Sequence, residues 1–320
     1  MNIVFLYSAA MPNLMCMLSE LTRMYSADVH LMFWDARKRT PYVPAPAPRL
    51  HLYPRSKYDY RKARALLGQI GPDLIYIAGW MDRMYLRLVV PYRRSGTPVV
   101  VGFDDWWMAT LRQRIAALAS PILTGALFSH AWVSGPRQYE YANRLGFRDE
   151  VILQNLLSAD TRVFRKGRDE LDRKQIVYPK VFLYVGRFSP EKGVRVLAEG
   201  YERYRSNGGE WDLVCIGNGP MESVLERPGI EVRGFCTQEA VVRAMGSAGA
   251  FVMPGLRDFS PLAVHEAACA ALPLILSSAV GNAPMFLIDG YNGLRFEAGS
   301  AKCLASAMSA ISQMPPNALV

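Results

Sequence analysis

The sequence predicts an α/β protein made of two doubly wound, Rossmann-like domains, and three observations lead there. At 320 residues the chain has room for two cores, given roughly 100–200 residues per domain. Short β-branched or aromatic runs alternate with amphipathic stretches of helical length from end to end, which is the rhythm of βαβ units and parallel sheets. Apolar residues make up 51% and charged residues 20%, the balance of a globular protein and not of a disordered or collagen-like one.

In the first half, strands are expected at residues 3–7, 29–34, 74–78, 98–103, 131–134 and 151–154. Helices are expected near 14–25, 60–70, 82–93, 110–127 and 137–145. The segment 40–54 carries Pro41, Pro44, Pro46 and Pro48; it cannot be a central strand and reads as an ordered loop. Residues 159–180 are crowded with charges and have no sustained apolar period, so the connection is placed there, dividing domains 1–165 and 166–320. Strands resume at 181–185, 211–216, 230–235, 250–253, 274–277 and 293–296.

Several function classes fall away on composition. The five cysteines are scattered, with no C-x-x-C pair, and the four histidines lack ligand spacing; no metal site is expected, and reduced thiols suit a cytoplasmic compartment. The apolar opening has no Lys or Arg before Arg23, unlike a secretory signal. The charge-free window between Arg114 and Arg137 is long enough to cross a bilayer, but Ser120, Pro121, Thr124, Gly125 and His130 interrupt it, so a buried helix followed by a buried strand is expected. The net charge of +9 points to an anionic partner. Residues 1–170 hold 23 Lys/Arg and 14 Asp/Glu while residues 171–320 hold 14 of each, so the surplus belongs to the first half.

Two segments carry chemistry. Gly186-Arg187-Phe188-Ser189-Pro190-Glu191-Lys192-Gly193 follows a strand and opens a helix, and two cations in a loop beyond a strand's carboxyl end suit an anionic ligand. A solvated loop is the alternative. In the second, running from Met253 to Ala267, Ser260 reads as an N-cap, Pro261 as the first helical residue, and the helix continues to Ala271 before Leu272-Pro273 stops it. Asp258 then sits before a helix N-terminus and Glu266 near the second turn, where free amides favour phosphate; the alternative is a loop acid and a solvated helix acid. Gly217-Asn218-Gly219 also invites a dinucleotide reading, but Glu222 stands where the third glycine of G-x-G-x-x-G belongs, and NAD is set aside.

Taken in order, Gly186-Arg187 with Glu191-Lys192-Gly193 and the acid pair Asp258 and Glu266 resemble the retaining nucleotide-sugar glycosyltransferases of family 4, which have the GT-B fold. Supporting matches are Ile216-Gly217-Asn218-Gly219-Pro220, Val232-Arg233-Gly234-Phe235, Ala271-Leu272-Pro273 and Gly290-Tyr291-Asn292-Gly293, with weaker ones at Pro72-Asp73-Leu74 and Gln154-Asn155-Leu156. The resemblance implies two domains facing across a cleft, the first binding acceptor and the second binding a UDP-, GDP- or dTDP-sugar. It implies that Arg187 and Lys192 neutralise the donor diphosphate, Glu266 binds the ribose and Asp258 the sugar hydroxyls. Gly186, Gly217, Asn218, Phe235, Phe259, Ser260 and Leu262 complete the implied donor site. No metal or other cofactor is implied, and the departing phosphate takes the acceptor's proton.

The sequence departs from that family's pattern in places. Asp258 stands where Glu is usual, and Phe259, Ser260 and Pro261 replace the glycines that commonly follow. A histidine of the first domain is replaced by Asp104 and Asp105, which could bind acceptor or cap the helix after Trp107. The helix that usually crosses back onto the first domain is not evident before residue 320. These departures leave a second class open, a GT-B-like scaffold subunit without activity. Nucleic acid is not expected as a partner, since the basic half lacks a reading motif. Basic residues among aromatic ones at 55–64 and 81–94 suit an anionic membrane surface, with a solvated amphipathic helix as the alternative. A saccharide or lipid-linked acceptor follows, with the protein in the cytoplasm or peripheral on the inner face of the membrane.

Overall fold

A computed structural model of the protein describes residues 1–35, 42–165 and 178–315. The chain forms two compact units, Met1–Leu157 and Ser158–Val320. Much of the charged connection expected over 159–180 lies outside the described residues, at 166–177.

Unit 1 holds strands β1 (Asn2–Tyr7), β2 (Asp28–Phe33), β3 (Leu50–Pro54), β4 (Leu74–Ala78), β5 (Val99–Phe103), β6 (His130–Val133) and β7 (Ile152–Leu153), all parallel, in the order β3-β2-β1-β4-β5-β6-β7. Its helices are α1 (Pro12–Tyr25), α2 (Tyr60–Ile70), α3 (Arg83–Arg94), α4 (Leu111–Leu127) and α5 (Pro136–Arg144). Successive strand residues point to opposite faces. Accordingly Ile3 and Phe5 pack with Leu14 and Leu18 of α1, while Val4, Leu6 and Ile75 pack with Leu67 of α2 and Leu88 of α3.

Unit 2 opens with α6 (Thr161–Phe164) and holds β8 (Val181–Val185), β9 (Asp212–Ile216), β10 (Ile230–Arg233), β11 (Ala250–Met253), β12 (Leu274–Ser277) and β13 (Gly293–Phe296) in the parallel order β10-β9-β8-β11-β12-β13. Helices α7 (Val194–Ser206), α8 (Gln238–Gly246), α9 (Leu262–Cys269), α10 (Ala283–Phe286) and α11 (Ala301–Gln313) connect and cover it. The central strands are buried on both faces, so β11 reads as an unbroken apolar run and β12 as an apolar run closed by the buried Ser277. In each sheet the strand order reverses beside its first strand, between β1 and β4 and between β8 and β11. A ligand crevice is expected at the carboxyl ends at such a point.

Several expectations are corrected. The latter part of 40–54 is a strand, β3; it lies at the sheet edge, where Pro54 removes no ladder donor that the sheet needs. Neither Asp104 nor Asp105 caps the helix after Trp107. Thr110 does, accepting from Gln113 N, while the Gln113 side chain accepts in return from Thr110 N, a reciprocal capping box. The window expected as a buried helix is α4, and its residues Leu111, Ile115 and Leu118 are exposed. Among the described residues no helix is long and apolar enough to cross a membrane.

Candidate functional site

Three loops meet at the carboxyl ends of β8, β9 and β11 within unit 2. The loop after β8 is tied to the loop after β9 by Gly186 N donating to Ile216 O (2.9 Å), Phe188 N to Asn218 O (2.8 Å) and Met221 N to Phe188 O (3.1 Å). A Cβ at Gly217 would lie 1.9 Å from Gly186 O, and one at Gly219 would lie 2.3 Å from Phe188 O. The two glycines therefore serve backbone contact between loops. On the other side, the amides of Leu256 and Arg257 both donate to Glu191 O (2.9 and 3.1 Å).

Side chains finish the joint. Lys192 Nζ donates to Asp258 Oδ2 at 2.6 Å. Arg187 Nη2 donates to Glu191 Oε1 at 2.9 Å, and Ser189 Oγ donates to the same oxygen at 2.7 Å. Burial pushes the Asp258 carboxyl up and the Lys192 ammonium pulls it back, leaving it raised. The Ser189 hydrogen bond, helped by Arg187 and Lys192, leaves Glu191 low.

The two ion pairs are not equivalent. Arg187 is half exposed and its pair is of the kind worth about 0.2–1 kcal/mol, so an arriving anion can take the guanidinium at little cost. The Lys192–Asp258 pair is largely buried, and deleting one member of such a pair costs about 3–5 kcal/mol. Lys192 is thus a fixed cation and Arg187 a releasable one.

The helix that follows starts one residue later than expected. Pro261 occupies the N-cap position with no side-chain cap, and α9 begins at Leu262; Ser260 does not cap it. Ser260 Oγ and Asn282 Oδ1 are buried with no partner among the described residues, although Asn282 Nδ2 donates to Pro261 O at 3.0 Å. The first amides of α9 lack intrahelical acceptors. Unpaired polar atoms beside uncapped amides mark a place built to meet a polar ligand.

Glu266 is partly buried on α9, and burial pushes its carboxyl up to about 7, which removes the reading of a solvated helix acid. Its neighbour His265 is pushed down to about 4 by burial, with its ring 4.1 Å from that of Phe286. Among the described residues no ion pair or hydrogen bond joins the Glu266 side chain to Lys192 or Asp258. The structure therefore gathers Arg187, Lys192 and Asp258, while among the described residues Glu266 has no direct bond to Lys192 or Asp258. Asn218 and Phe235 are exposed on neighbouring loops, while Phe259 and Leu262 are partly buried. Sequence reasoning missed Ser189 and Asn282 as site residues, and Glu191 as the acid that holds Arg187. Only Glu191 had a local signal, its spacing of four from Arg187.

In unit 1, Asp104 and Asp105 follow β5 and are exposed. Desolvation raises the Asp105 carboxyl and Arg112 partly offsets it. Burial, reinforced by the Asp104 charge, pushes the Tyr7 phenol up to about 12. Beyond these acids lies an aromatic set that no local pattern announces. The ring of Trp80 is 5.2 Å from that of Phe103, and Tyr141 is 5.8 Å from both Phe103 and Trp107. Among the described residues no group of three or more His, Cys, Asp or Glu could hold a metal ion.

Residues 179–313 match the family model described as glycosyl transferases group 1. The chain is 27% identical over 180 residues, 55% of its length and 45% of the relative's, to TuaC of Bacillus subtilis, whose name assigns it to teichuronic acid biosynthesis as a glycosyltransferase. It is 26% identical over 155 residues, 44% of its length and 38% of the relative's, to AmsK of Erwinia amylovora, an amylovoran biosynthesis glycosyltransferase. The matches thus span less than half the length of these curated relatives. The solved structure of Anabaena HepE in complex with UDP aligns at a TM-score of 0.72 over all of this chain and 92% of that one, at 14% identity, a likeness of fold. The two parallel-sheet units have the Rossmann-like architecture of GT-B glycosyltransferases, and residues 179–313 of the second are similar to the glycosyl transferases group 1 domain.

Proposed function

We propose that the protein is a retaining glycosyltransferase moving a sugar from a nucleoside diphosphate to a saccharide or lipid-linked acceptor in bacterial surface polysaccharide or glycolipid assembly. The observation that carries this reading is the pairing of Lys192 with Asp258, which precedes the uncapped start of α9, with Arg187 held by Glu191 in the same loop as Lys192 and with Ser260 Oγ and Asn282 Oδ1 lacking partners among the described residues. When the glycosidic bond breaks, negative charge gathers on the departing diphosphate. A fixed ammonium, a releasable guanidinium and free amides stabilise that charge more than they stabilise the intact donor. In this reading the two cations do the work without a metal ion, and the leaving phosphate takes the acceptor's proton.

Glu266 is assigned to the nucleotide ribose; a carboxyl held near 7 ionises fully once ribose hydroxyls donate to it. Asp258 is assigned to the donor sugar through its second oxygen. The acids Asp104 and Asp105, with the nearby Trp80 and Trp107, suit a saccharide acceptor, since aromatic faces take C–H surfaces and carboxylates accept hydroxyls. The names of TuaC and AmsK support a polysaccharide product, and HepE supports UDP among the candidate nucleotides. The cytoplasm and the inner membrane face, where lipid-linked acceptors present their saccharides, belong to the same reading.

Calorimetric titration with UDP, GDP and dTDP, followed by a transfer assay with the nucleotide-sugar of whichever binds, tests it. Binding by one nucleotide and retention of anomeric configuration in the product are expected. Binding without turnover on any sugar would favour a scaffold subunit, and no binding at all would remove the donor-site assignment.

A further inference from the structure

We propose that α2, α3 and α4 of unit 1 form a docking surface for an anionic lipid bilayer. The three helices lie side by side, α3 packing against both α2 and α4. None of them contains an Asp or Glu residue. The acids that precede α2 and α3 are engaged as caps, Asp59 accepting from Lys62 N and Asp82 from Met84 N and Tyr85 N.

Cations take the outer faces. Arg61, Lys62 and Arg64 are exposed on α2; Arg83, Arg87 and Arg94 are exposed on α3; Arg112 and Arg114 are exposed on α4. Along α4 the spacing of Leu111, Ile115 and Leu118 places them on one face, yet they are 74%, 58% and 85% exposed. An apolar stripe at helical period, bare to solvent and beside acid-free basic helices, has the two components of interfacial binding. The leucines and isoleucine enter the headgroup boundary, and the long cationic side chains reach anionic headgroups.

The other occupants fit less well. Nucleic acid would satisfy the cations and leave the apolar stripe wet. A second copy meeting face to face would set arginines against arginines. This surface deepens the membrane part of the function proposed above and is separate from its chemistry.

The test is co-sedimentation of the full chain with vesicles of phosphatidylcholine alone or with about 30% phosphatidylglycerol, at about 50 and about 500 mM salt. Binding to the anionic vesicles at low salt, lost at high salt, is expected. Leu111→Ser with Leu118→Ser, and separately Arg87→Gln with Arg94→Gln, should each weaken it by about tenfold. Equal binding to neutral vesicles, no binding by the unaltered protein, or unchanged binding by both variants would overturn the proposal. So would a dimer in sedimentation velocity that the Leu111/Leu118 variant dissolves, which would assign the stripe to a second copy. Nucleotide titration of the same variants, expected unchanged, separates failure of this surface from failure of the donor-site reading.

Discussion

Lys192 Nζ and Asp258 Oδ2 lie 2.6 Å apart and join the loop after β8 to the loop after β11, although 66 positions separate them in the chain. The contact gives Asp258 a role beyond the one the family pattern implies. One of its oxygens orients the ammonium, and the function proposed above assigns the other to the donor sugar. Asp, one methylene shorter than the usual Glu, is still long enough for the first task.

Removing the ammonium leaves a buried carboxylate alone. Lys192→Ala should lower the unfolding free energy by about 3 kcal/mol in urea titration. The double variant Lys192→Met/Asp258→Leu should recover most of that stability, because no charge is then left buried. Neither protein should bind nucleotide. If the double variant binds UDP, GDP or dTDP as the unaltered protein does, the pair has no part in donor binding.

Arg187→Ala should behave differently. Its ion pair is half exposed, so stability should change by no more than about 1 kcal/mol, while nucleotide affinity falls by about tenfold or more, since a hydrogen bond to a charged group contributes about 1.5–3 kcal/mol. Melting curves and calorimetry on one preparation decide it; a large loss of stability with affinity intact would contradict the assignment of Arg187 as the releasable cation.

Ser260→Ala removes a buried hydroxyl that has no partner among the described residues. Stability should stay level or rise, as unsatisfied buried polar groups are unfavourable, and donor-sugar affinity should fall. A drop in both would show that the hydroxyl already has a structural partner.

The Glu266 carboxyl stands near 7 in the folded protein against an ordinary 4.5. A raised carboxyl contributes stability while it is protonated; the contribution is complete below about 4.5 and is lost as pH rises through about 7. Glu266→Gln should therefore gain on the unaltered protein between about pH 5 and pH 8, by about 2 kcal/mol after allowing for partial exposure, since each tenfold change in proton affinity is worth about 1.36 kcal/mol. Parallel urea titrations at the two pH values check it. Curves that move together would mean the carboxyl is not held high.

At Gly193 two constraints coincide. Its φ is 72°, and a Cβ there would lie 1.9 Å from Pro254 O, in backbone that cannot yield without moving the loop after β11. Gly193→Ala should cost more than the roughly 1 kcal/mol of a left-handed alanine alone, and it should weaken nucleotide binding because Lys192 moves with it. Unaltered stability and affinity in that variant would contradict the close approach.

Most strands were legible because parallel strands buried on both faces leave continuous apolar runs, as β8 and β11 do. Strand β3 was hidden by the prolines before it and by its place at an edge, which asks little of its residues. The cap of α4 was obscured because two aspartates outweighed Thr110, although Thr110 and Gln113 had the spacing of a capping box. The cations and acids of the site could be picked out as loop residues, but the pairing of Lys192 with Asp258 depends on β8 lying next to β11, which no local pattern records. The bare stripe of α4 was illegible for a similar reason, since periodicity marks an apolar face without saying whether anything covers it.

The strand order also has a consequence for how the protein folds. Strand β9 follows β8 closely and can pair with it early, whereas β11 must return across the intervening chain to the other side of β8, and that longer closure costs more entropy. Lys192 and Asp258 meet only after this second pairing. Competence to hold a nucleotide should therefore lag behind most secondary structure during refolding, so that ligand capture reports closure of the sheet. Stopped-flow refolding with nucleotide present would show the lag, and simultaneous recovery of helicity and binding would deny it.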